Sequence, residues 1–213
     1  MKGNIRVVSF DLDGVLFDGP SAAYPIAAQL GLGERFMEVY ARVSKKKSKF
    51  EDSIIEGCTI WKGVATDGAY NHLVNELPLR VGAQETLNAL KEAGYIIGCI
   101  SSGVSQFFME PFSKRLSLDF AYSNVLGEEA GAHNGEVKYI MGGPQKVETA
   151  LRMLGEKRLT RKHLASIGDG MNDIDLFNIS GFSIAFNPEN EEVSGAADVT
   201  LHSKDLRSVL EYF

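Results

Sequence analysis

Two aspartates directly after an apolar run are the residues of this chain best suited to chemistry. Val7–Phe10 is a short segment of β-favouring residues, and Asp11 and Asp13 follow it. Unpaired buried carboxylates cost folding free energy, so a divalent cation or a reacting phosphoryl group would account for them. A solvated turn with an Asp-Gly corner is the alternative. A second acidic cluster, Gly168–Asp173, favours chemistry because it also follows an apolar run, Leu164–Ile167.

Two further polar positions lie between these clusters. Ser101, Ser102 and Gly103 follow the apolar run Tyr95–Ile100, and Lys146 falls at the start of a predicted helix. Either serine could simply cap the helix that follows. The helix dipole disfavours a cation at the first turn, so a nearby anion would help to explain Lys146, although an exposed lysine there costs little.

Together these residues match one chemistry. The carboxylates of Asp11 and Asp169 have ordinary pKa values near 3.9, and two of them brought close repel unless a cation lies between them. Mg²⁺ prefers such oxygen ligands and leaves room for water and a phosphate oxygen. Lys146 and the Ser101 hydroxyl, with nearby backbone N–H groups, could hold the other phosphate oxygens. Asp11 would attack phosphorus as a nucleophile, and Asp13 would serve as general acid and then as general base.

The elements that must position these residues alternate between helix and apolar strand. This alternation predicts an α/β protein whose parallel sheet is covered by helices on both faces, with its sites outside the carboxyl ends of the strands. Residues 18–78 read as mostly helical, which predicts a helical insertion after the first strand. The predicted strands are Val7–Phe10, Tyr95–Ile100, Phe120–Tyr122, Leu164–Ile167 and Phe182–Ala185.

Several local patterns give finer predictions. Asn134-Gly135 is typical of a tight hairpin turn. Asp173 is well placed to cap a helix that starts at Ile174, and a closing helix is expected near residues 206–212. The basic run Ser44–Lys49 reads as a solvated face or loop.

Composition narrows the class of protein. The chain has 213 residues and a formal net charge of −6, which gives no reason to expect nucleic-acid binding. No apolar run is long enough to span a membrane, and Met1–Arg6 is too short and polar for a signal peptide. Cys58 and Cys99 are expected to be reduced core thiols. These features predict a cytoplasmic globular protein.

The acidic clusters, the serine and the lysine resemble, in order, the four motifs of the haloacid dehalogenase (HAD) superfamily. The motifs are Asp11-Leu12-Asp13-Gly14-Val15, Ser101, Lys146 and Gly168-Asp169-Gly170-Met171-Asn172-Asp173. Within the superfamily the chain most resembles the phosphoserine phosphatases, through Leu90–Tyr95, Ile184–Asn187 and the spacing from Lys146 to Asp169.

The resemblance implies a Rossmann-like core, residues 1–17 and 79–213, and a small helical cap of the C1 type, residues 18–78. It implies a Mg²⁺-dependent phosphatase that hydrolyses a small phosphorylated metabolite through an aspartyl-phosphate. Its implied site comprises catalytic Asp11, Asp13 and Lys146; substrate-binding Ser101, Ser102, Gly103, Lys146 and Asn172; metal-binding Asp11, Asp169 and the backbone carbonyl of Asp13; and supporting Asp173.

Three positions depart from the phosphoserine phosphatase pattern. Gly14 stands where Ser or Thr is usual, and Pro20 and Gly57 stand where a cap glutamate and a cap arginine would grip the amino acid. Without charged partners, a zwitterionic substrate would forfeit charge-assisted hydrogen bonds worth about 1.5–3 kcal/mol each. The nearby charged residues that could substitute are Glu51, Glu56, Arg42 and Lys47. Phosphatase chemistry is therefore expected, but phosphoserine as its substrate is not.

Other activities stay open at the level of sequence. A phosphotransferase or mutase of the same superfamily would use the same residues. A receiver-like signalling domain also combines acidic residues, Ser or Thr and Lys, but it would be about half this length and lack the insertion. A scaffold that has lost its chemistry would not be expected to keep competent residues at all four motifs. The oligomeric state is not predicted.

Overall fold

The computed structural model describes residues 4–46 and 49–213, with the side chains of 44–46 excepted. In this described part, seven strands form one sheet in the order β4-β3-β2-β1-β5-β6-β7. All neighbouring pairs are parallel except β3 and β4, which are antiparallel. The strands are β1 Val7–Phe10, β2 Ile96–Ser105, β3 Phe120–Glu129, β4 Ala132–Tyr139, β5 Leu164–Gly168, β6 Phe182–Phe186 and β7 Val199–Leu201.

Helices connect the strands. They are α1 Ala23–Gln29, α2 Gly33–Lys46, α3 Phe50–Cys58, α4 Asn71–Glu76, α5 Ala83–Glu92, α6 Gln106–Leu116, α7 Gly143–Glu156, α8 Ile174–Ile179 and α9 Glu191–Ala196. Short 3₁₀ segments span Thr59–Trp61, Arg161–His163, Met171–Asp173 and Leu206–Tyr212. The last of these is the closing helix expected near residues 206–212, and it is of the 3₁₀ type. Among the described helices, none combines the length and the apolar character that a membrane crossing requires.

Strand β1 lies at the centre of the sheet and decides where the site forms. Its residue Phe10 pairs with Cys99 of β2 on one side and with Ile167 of β5 on the other, all in parallel register. The carboxyl ends of these three strands therefore meet at one edge. Residues that directly follow them, such as Asp11 and Asp169, are brought together there.

Alternate residues of β1 face opposite sides of the sheet, and each side has its own core. Val8 packs with Leu87 of α5 in one buried cluster, and Val7 packs with Met153 and Leu154 of α7 in another. Both faces of the sheet are therefore covered by helices, which confirms the predicted α/β fold with a mostly parallel sheet.

The hairpin between β3 and β4 corrects one prediction. The chain reverses at Ala130 and Gly131, whose φ values are 51° and 77°, and two positive φ values are typical of a type I′ turn. Asn134 and Gly135 instead lie inside β4, where the pairing register shifts and the Asn134 side chain accepts the Glu136 N–H at 2.9 Å. The Asn-Gly pair forms a local irregularity in the strand, so the expectation of a turn there was wrong.

Residues 18–78 contain α1 to α4, in agreement with the helical insertion read from the sequence. A short segment after α3 also pairs with the hairpin. Gly63 donates to the His133 carbonyl at 2.8 Å, His133 donates to Val64 at 2.9 Å, and Thr66 donates to Gly131 at 3.0 Å. The hairpin thus ties the helical insertion to the edge of the sheet.

The contact between β2 and β3 yields a stability prediction. A Cβ on Gly98 would lie 2.2 Å from the Phe120 carbonyl oxygen and 2.5 Å from its ring. We expect Gly98→Ala to lower the free energy of unfolding by about 1–3 kcal/mol, because the added methyl group overpacks the strand pair. Urea unfolding followed by circular dichroism measures the change.

Gly155→Ala is the matched control, since Gly155 lies in the last turn of α7 and a Cβ there meets no described atom within 4 Å. It should leave the stability unchanged or raise it by up to about 1 kcal/mol. Equal unfolding midpoints for Gly98→Ala and the unmodified chain would contradict this account of the packing.

Candidate active site

Lys146 lies between two carboxylates at the carboxyl edge of the sheet. Its Nζ donates to Asp11 Oδ1 at 2.9 Å and to Asp173 Oδ1 at 2.6 Å. The lysine is 0% exposed, and both aspartates are buried. Although Lys146 is 135 positions from Asp11 in the chain, helix α7 brings it to the same edge. The structure thus joins the first and third predicted motifs.

Burial and charge oppose each other in this group. Burial lowers the pKa of the Lys146 ammonium, but the attraction of Asp11 and Asp173 outweighs it and raises the pKa above its usual range. Burial raises the pKa of Asp11 to about 6, with Lys146 opposing the shift and Asp173 adding to it. The lysine is therefore charged at pH 7 and favours the ionised form of Asp11.

Asp13 is a partly buried carboxyl whose charge interacts with that of Asp11. Its Oδ1 accepts the Ala22 backbone N–H at 2.6 Å. Burial, and then repulsion from Asp11, raise the pKa of Asp13 to about 7, although the Ala22 hydrogen bond lowers it. A Cβ on Gly103 would lie 1.8 Å from Asp13 Oδ2, so only glycine allows this approach. A carboxyl with a pKa near 7 can both give and take a proton at neutral pH.

Asp169 completes a set of carboxylates suited to a cation. Ligand atoms of Asp11, Asp169 and Asp173 lie within 4.8 Å of one another. Burial, and then repulsion from Asp11 and Asp173, raise the pKa of Asp169 to about 8. A Cβ on Gly14, whose φ is +72°, would lie 1.7 Å from Asp169 Oδ2. The close approach explains a glycine at position 14, and the clustered oxygens fit a divalent cation, which would relieve their repulsion.

Within this set, Asp173 is a positioning residue. Its Oδ1 accepts from Lys146, and its Oδ2 accepts the backbone N–H groups of Asp169 and Gly170 at 3.1 and 3.2 Å. It makes no side-chain cap to α8. The prediction that it caps the helix at Ile174 was wrong, because its carboxylate turns back to fix Lys146 and the Asp169 loop.

The end of β2 supplies the serines and their backbone. Ser101 and Ser102 are buried, and Ser101 Oγ accepts the Gly103 N–H at 3.2 Å. Ser102 Oγ accepts from Asn172 Nδ2 at 2.9 Å, which joins the second and fourth motifs. Helix α6 begins only at Gln106 and has no side-chain cap, so neither serine caps it.

Three residues that position the site were not singled out from the sequence. Arg80 donates to the Gly14 and Val15 carbonyls at 2.7 and 2.9 Å and holds the loop after β1. Asn124 of β3 donates to the Ser102 carbonyl at 2.7 Å and accepts the Met141 N–H at 2.8 Å. Glu189 accepts the Met171 N–H at 3.1 Å. These contacts join residues far apart in the chain, so no local pattern reveals them.

A cavity of about 630 Å³ lies above the carboxylates and beneath the helical insertion. Its floor includes Asp11, Asp13 and Asp169, and its walls include Pro20 and Gly57, the two positions that depart from the phosphoserine phosphatase pattern. Both therefore face the volume in which a substrate would lie.

None of the substitutes proposed for the missing charges is shown to line this cavity. Arg42 forms an ion pair with Glu56 outside it. Glu51 is exposed and does not line it. Lys47 lies outside the described residues, as do Ser48 and the side chains of residues 44–46. Of the basic run read as a solvated face, only the backbone of 44–46, within α2, and the exposed Lys49 are described.

Fold and site together define an α/β protein with a carboxylate-rich site at the carboxyl edge of a mostly parallel sheet, and comparison with known proteins identifies the family. The sequence model of the haloacid dehalogenase-like hydrolases matches residues 5–181. The chain belongs to this family, which confirms the resemblance read from the four motifs.

Curated relatives point to one branch of the family. The chain is 26% identical over 215 residues to the phosphoserine phosphatase of Methanocaldococcus jannaschii, covering 100% of this chain and 99% of that protein. It is 26% identical over 202 residues to the phosphoserine phosphatase of Archaeoglobus fulgidus, covering 94% of this chain and 58% of that protein. The chain thus spans the full length of one relative but only about three fifths of the other.

Solved structures agree with the fold. A structure described as a phospho-aspartyl intermediate analogue of phosphoserine phosphatase superposes with a TM-score of 0.82 at 25% identity, covering 99% of both chains. A HAD family hydrolase of Salmonella enterica serovar Typhi superposes with a TM-score of 0.85 at 20% identity, covering 99% of this chain and 72% of that one.

The Lys146 cluster generates a prediction. Lys146→Met leaves Asp11 and Asp173 buried without their cation, so we expect a loss of about 3–5 kcal/mol in the free energy of unfolding. We also expect at least a ~10²-fold loss of phosphate-ester turnover, because a charge close to the reacting group is removed. Urea unfolding and phosphate release measure the two effects.

Lys114→Met serves as the control, because Lys114 forms an exposed ion pair with Glu110 at 2.7 Å on α6. Its effect on stability should stay within about 0.5 kcal/mol. If both methionine variants unfolded at the same urea concentration, the claim that Lys146 stabilises the buried carboxylates of Asp11 and Asp173 would be refuted.

Proposed function

We propose that this chain is a Mg²⁺-dependent phosphomonoesterase that works through an aspartyl-phosphate on Asp11. The observation that carries the proposal is the joint placement of Asp11, Asp13 and Asp169 on the floor of one cavity, with Lys146 bound to Asp11. We also propose that residues 18–78 form a cap over a core of residues 1–17 and 79–213. The relatives named above are phosphoserine phosphatases, which supports a small phosphorylated metabolite as the substrate.

In the first half of the reaction Asp11 is the nucleophile. Because Lys146 binds Oδ1, we assign the attack on phosphorus to the other carboxylate oxygen. A new bond forms between that oxygen and phosphorus, and the bond between phosphorus and the ester oxygen breaks. The electron pair stays on the leaving oxygen, which takes a proton from Asp13. A carboxylic acid with a pKa near 7 is suited to this step.

In the second half Asp13 acts as the base. Its carboxylate takes a proton from a water molecule, whose oxygen attacks the phosphorus of the aspartyl-phosphate. The Asp11–phosphate bond breaks, inorganic phosphate leaves, and Asp11 regains its carboxylate. Hydrolysis therefore releases one phosphate for each alcohol, whereas a transferase or mutase would form a second phosphorylated product.

The remaining residues hold the phosphate and the cation. We assign phosphate oxygens to the Lys146 ammonium, the Ser101 and Ser102 hydroxyls, the Gly103 N–H and the Asn172 amide. Asp11, Asp169 and the Asp13 backbone carbonyl would hold Mg²⁺, whose preference is for oxygen ligands. When bound, the cation neutralises charge on the carboxylates and on the phosphate.

We place the chain in the cytoplasm as part of this proposal. Cys58 and Cys99 are both free, and free buried cysteines are common where thiols are kept reduced. No partner beyond the small phosphate ester is proposed.

The nucleophile assignment gives a direct prediction. Asp11→Asn should lower kcat for p-nitrophenyl phosphate by at least about 10³-fold, because an amide cannot form the acyl-phosphate. The variant should keep its circular dichroism spectrum. Acid quenching during turnover should leave hydroxylamine-sensitive phosphate on the unmodified chain, detected by intact mass, and none on Asp11→Asn.

Asp52→Asn is the matched control at an exposed aspartate of α3, and its turnover should stay within about twofold, as for other exposed sites away from the chemistry. Near-normal hydrolysis by Asp11→Asn would refute the nucleophile. If a second phosphorylated product formed in place of inorganic phosphate, the reaction would be phosphoryl transfer and not hydrolysis.

Removal of the cation gives a second prediction, on stability as well as activity. The folded state raises the pKa of Asp169 to about 8 from an ordinary value near 4. Folded Asp169 therefore binds its proton more tightly than the unfolded chain does, so the metal-free protein loses stability as pH rises between these values. Mg²⁺ should reverse this loss. At a concentration one hundred times its Kd it should raise the free energy of unfolding by about 2.7 kcal/mol, and it should raise Tm accordingly.

Asp169→Asn tests both the charge repulsion in the metal-free protein and the binding of Mg²⁺, because it removes a repelling charge and a proposed metal ligand. Without metal at pH 8 this variant should melt above the unmodified chain, and added Mg²⁺ should shift its Tm far less. It should also be inactive, whereas Asp52→Asn should keep the full Mg²⁺ shift. An equal Mg²⁺ shift in Asp169→Asn would exclude Asp169 as a ligand.

A further inference from the structure

The walls of the cavity differ in chemistry from its floor. Carboxylates and polar groups form the floor, but the side beneath the helical insertion is apolar and aromatic. Six residues form much of that side: Ile26, Phe36, Val39, Phe50, Ile54 and Trp61. At about 630 Å³ the cavity lies in the range of small-molecule sites that bury most of their ligand. It therefore has room for a ring-sized group beyond the phosphate.

The charged side chains described along the cavity are all acidic, and the nearby Lys146 is 0% exposed and already binds Asp11 and Asp173. The charged residues that line the cavity are Asp11, Asp13, Asp169 and Glu189. Among the residues whose side chains the structure describes, no lysine or arginine lines it. Arg42 is paired with Glu56, and Arg35 donates to the Thr59 carbonyl at 2.7 Å in an exposed contact. Among the described side chains, a substrate carboxylate would thus find acidic, apolar and uncharged polar neighbours but no cation, which disfavours its burial.

Among the polar side chains that line the cavity, two have a buried polar atom without a described hydrogen-bond partner. His133 of β4 lines the cavity and is 6% exposed, and its Nδ1 has no hydrogen-bond partner in the described part of the chain. Thr66 lines the cavity as well, and its buried hydroxyl is equally without a described partner. Because Val64 pairs with His133 and Thr66 pairs with Gly131, the two side chains lie on the same face of this ribbon.

The surroundings of His133 define what it can bind. Its ring packs edge-on against Phe107, with the centroids 4.6 Å apart. Burial lowers the pKa of His133 below its ordinary value, although Glu128 opposes the shift, so the imidazole is neutral at pH 7. A buried polar atom left without a partner costs free energy. A neutral imidazole and a hydroxyl can both be satisfied by a substrate hydroxyl, which donates and accepts.

We propose that the substrate is the phosphate ester of an apolar, ring-bearing alcohol that carries a further uncharged hydroxyl group, bound by His133 and Thr66. This inference rests on the proposed phosphomonoesterase activity and names the substrate class of the same site. In this arrangement the ring fills the wall beneath α1 to α3, the phosphate reaches Asp11, and the second hydroxyl satisfies the His133 side chain.

The first test compares esters of primary alcohols, which have similar leaving groups. The esters are L-phosphoserine, benzyl phosphate and benzyl phosphates with one hydroxymethyl group at the ortho, meta or para carbon. Burial of the ring predicts kcat/KM for benzyl phosphate at least about tenfold above that for L-phosphoserine. The best hydroxymethyl ester should exceed benzyl phosphate, mainly through a lower KM.

A separate substrate keeps this inference apart from the proposed function. If p-nitrophenyl phosphate is hydrolysed but L-phosphoserine equals or exceeds every benzyl ester, the substrate class is overturned and the phosphatase stands. If none of these esters releases phosphate, the proposed function fails and the inference fails with it.

Gly57→Arg tests the missing cation. Gly57 lines the cavity from α3, and a Cβ there meets no described atom within 4 Å. An arginine should raise kcat/KM for L-phosphoserine by about tenfold or more through a charge-assisted hydrogen bond and lower it for benzyl phosphate. Gly155→Arg, the same change on an exposed helix position outside the cavity, should alter neither. An unchanged preference in Gly57→Arg would contradict the charge argument.

His133 is tested by the ratio of two rates. His133→Leu should lower kcat/KM for the best hydroxymethyl ester relative to benzyl phosphate by about tenfold, because the hydroxyl loses its partner. His133→Asn, whose amide can reproduce a hydrogen bond at Nδ1, should restore most of the ratio. A ratio that is the same in the leucine variant and in the unmodified chain would remove His133 from substrate recognition.

Discussion

The attraction of Lys146 for Asp11 and Asp173 is the interaction on which the rest of the site depends. The carboxylates of Asp11, Asp169 and Asp173 meet at the edge of the sheet, and burial raises the pKa values of Asp11 and Asp169. One buried ammonium, bound to Asp11 and Asp173, favours the charged form of Asp11, the proposed nucleophile. It also fixes Asp173, whose second oxygen holds the Asp169 backbone. A single cation thus orients both acidic motifs.

Backbone close to the carboxylates imposes a second constraint. Gly14, Gly103 and Gly168 each lie so near an acidic side chain that a Cβ would overlap it, with distances of 1.7, 1.8 and 2.3 Å to Asp169, Asp13 and Asp173. The motif glycines are therefore part of the packing of the site. Because they bring backbone into contact with the carboxylates, N–H groups can serve the site without additional side chains.

The sequence predicted those parts of the site that follow strands. Asp11 and Asp169 each come directly after an apolar run, and parallel pairing of β1 with β5 is enough to bring them together. The prediction of a turn at Asn134-Gly135 was wrong because this sequence pattern reports only a local preference. The pairing of β3 with β4 determines where the chain reverses. The prediction that Asp173 caps the helix at Ile174 was wrong for a related reason, because its carboxylate binds Lys146, 27 positions away.

Arg80, Asn124 and His133 could not be predicted from local patterns. Arg80 acts across 65 positions on the loop after β1, and Asn124 acts across 22 positions on the Ser102 carbonyl. His133 reaches the cavity only because β4 pairs with the segment after α3. Each of these contacts arises only in the folded structure. In the sequence each residue is a single polar residue with no motif around it.

The two halves of the cavity divide the work of the proposed reaction between them. The floor has fixed charges and N–H groups, which act more strongly where water is excluded. The apolar wall beneath the helical insertion contributes apolar side chains, and covering the floor with them lowers the local dielectric constant. Because the described side chains of this apolar wall add no charge, the electrostatics of the floor depend on its carboxylates, on Lys146 and on the proposed cation. In the proposed reaction, selectivity comes from the fit and desolvation of the alcohol against the apolar wall, and the chemistry comes from Asp11, Asp13 and Lys146.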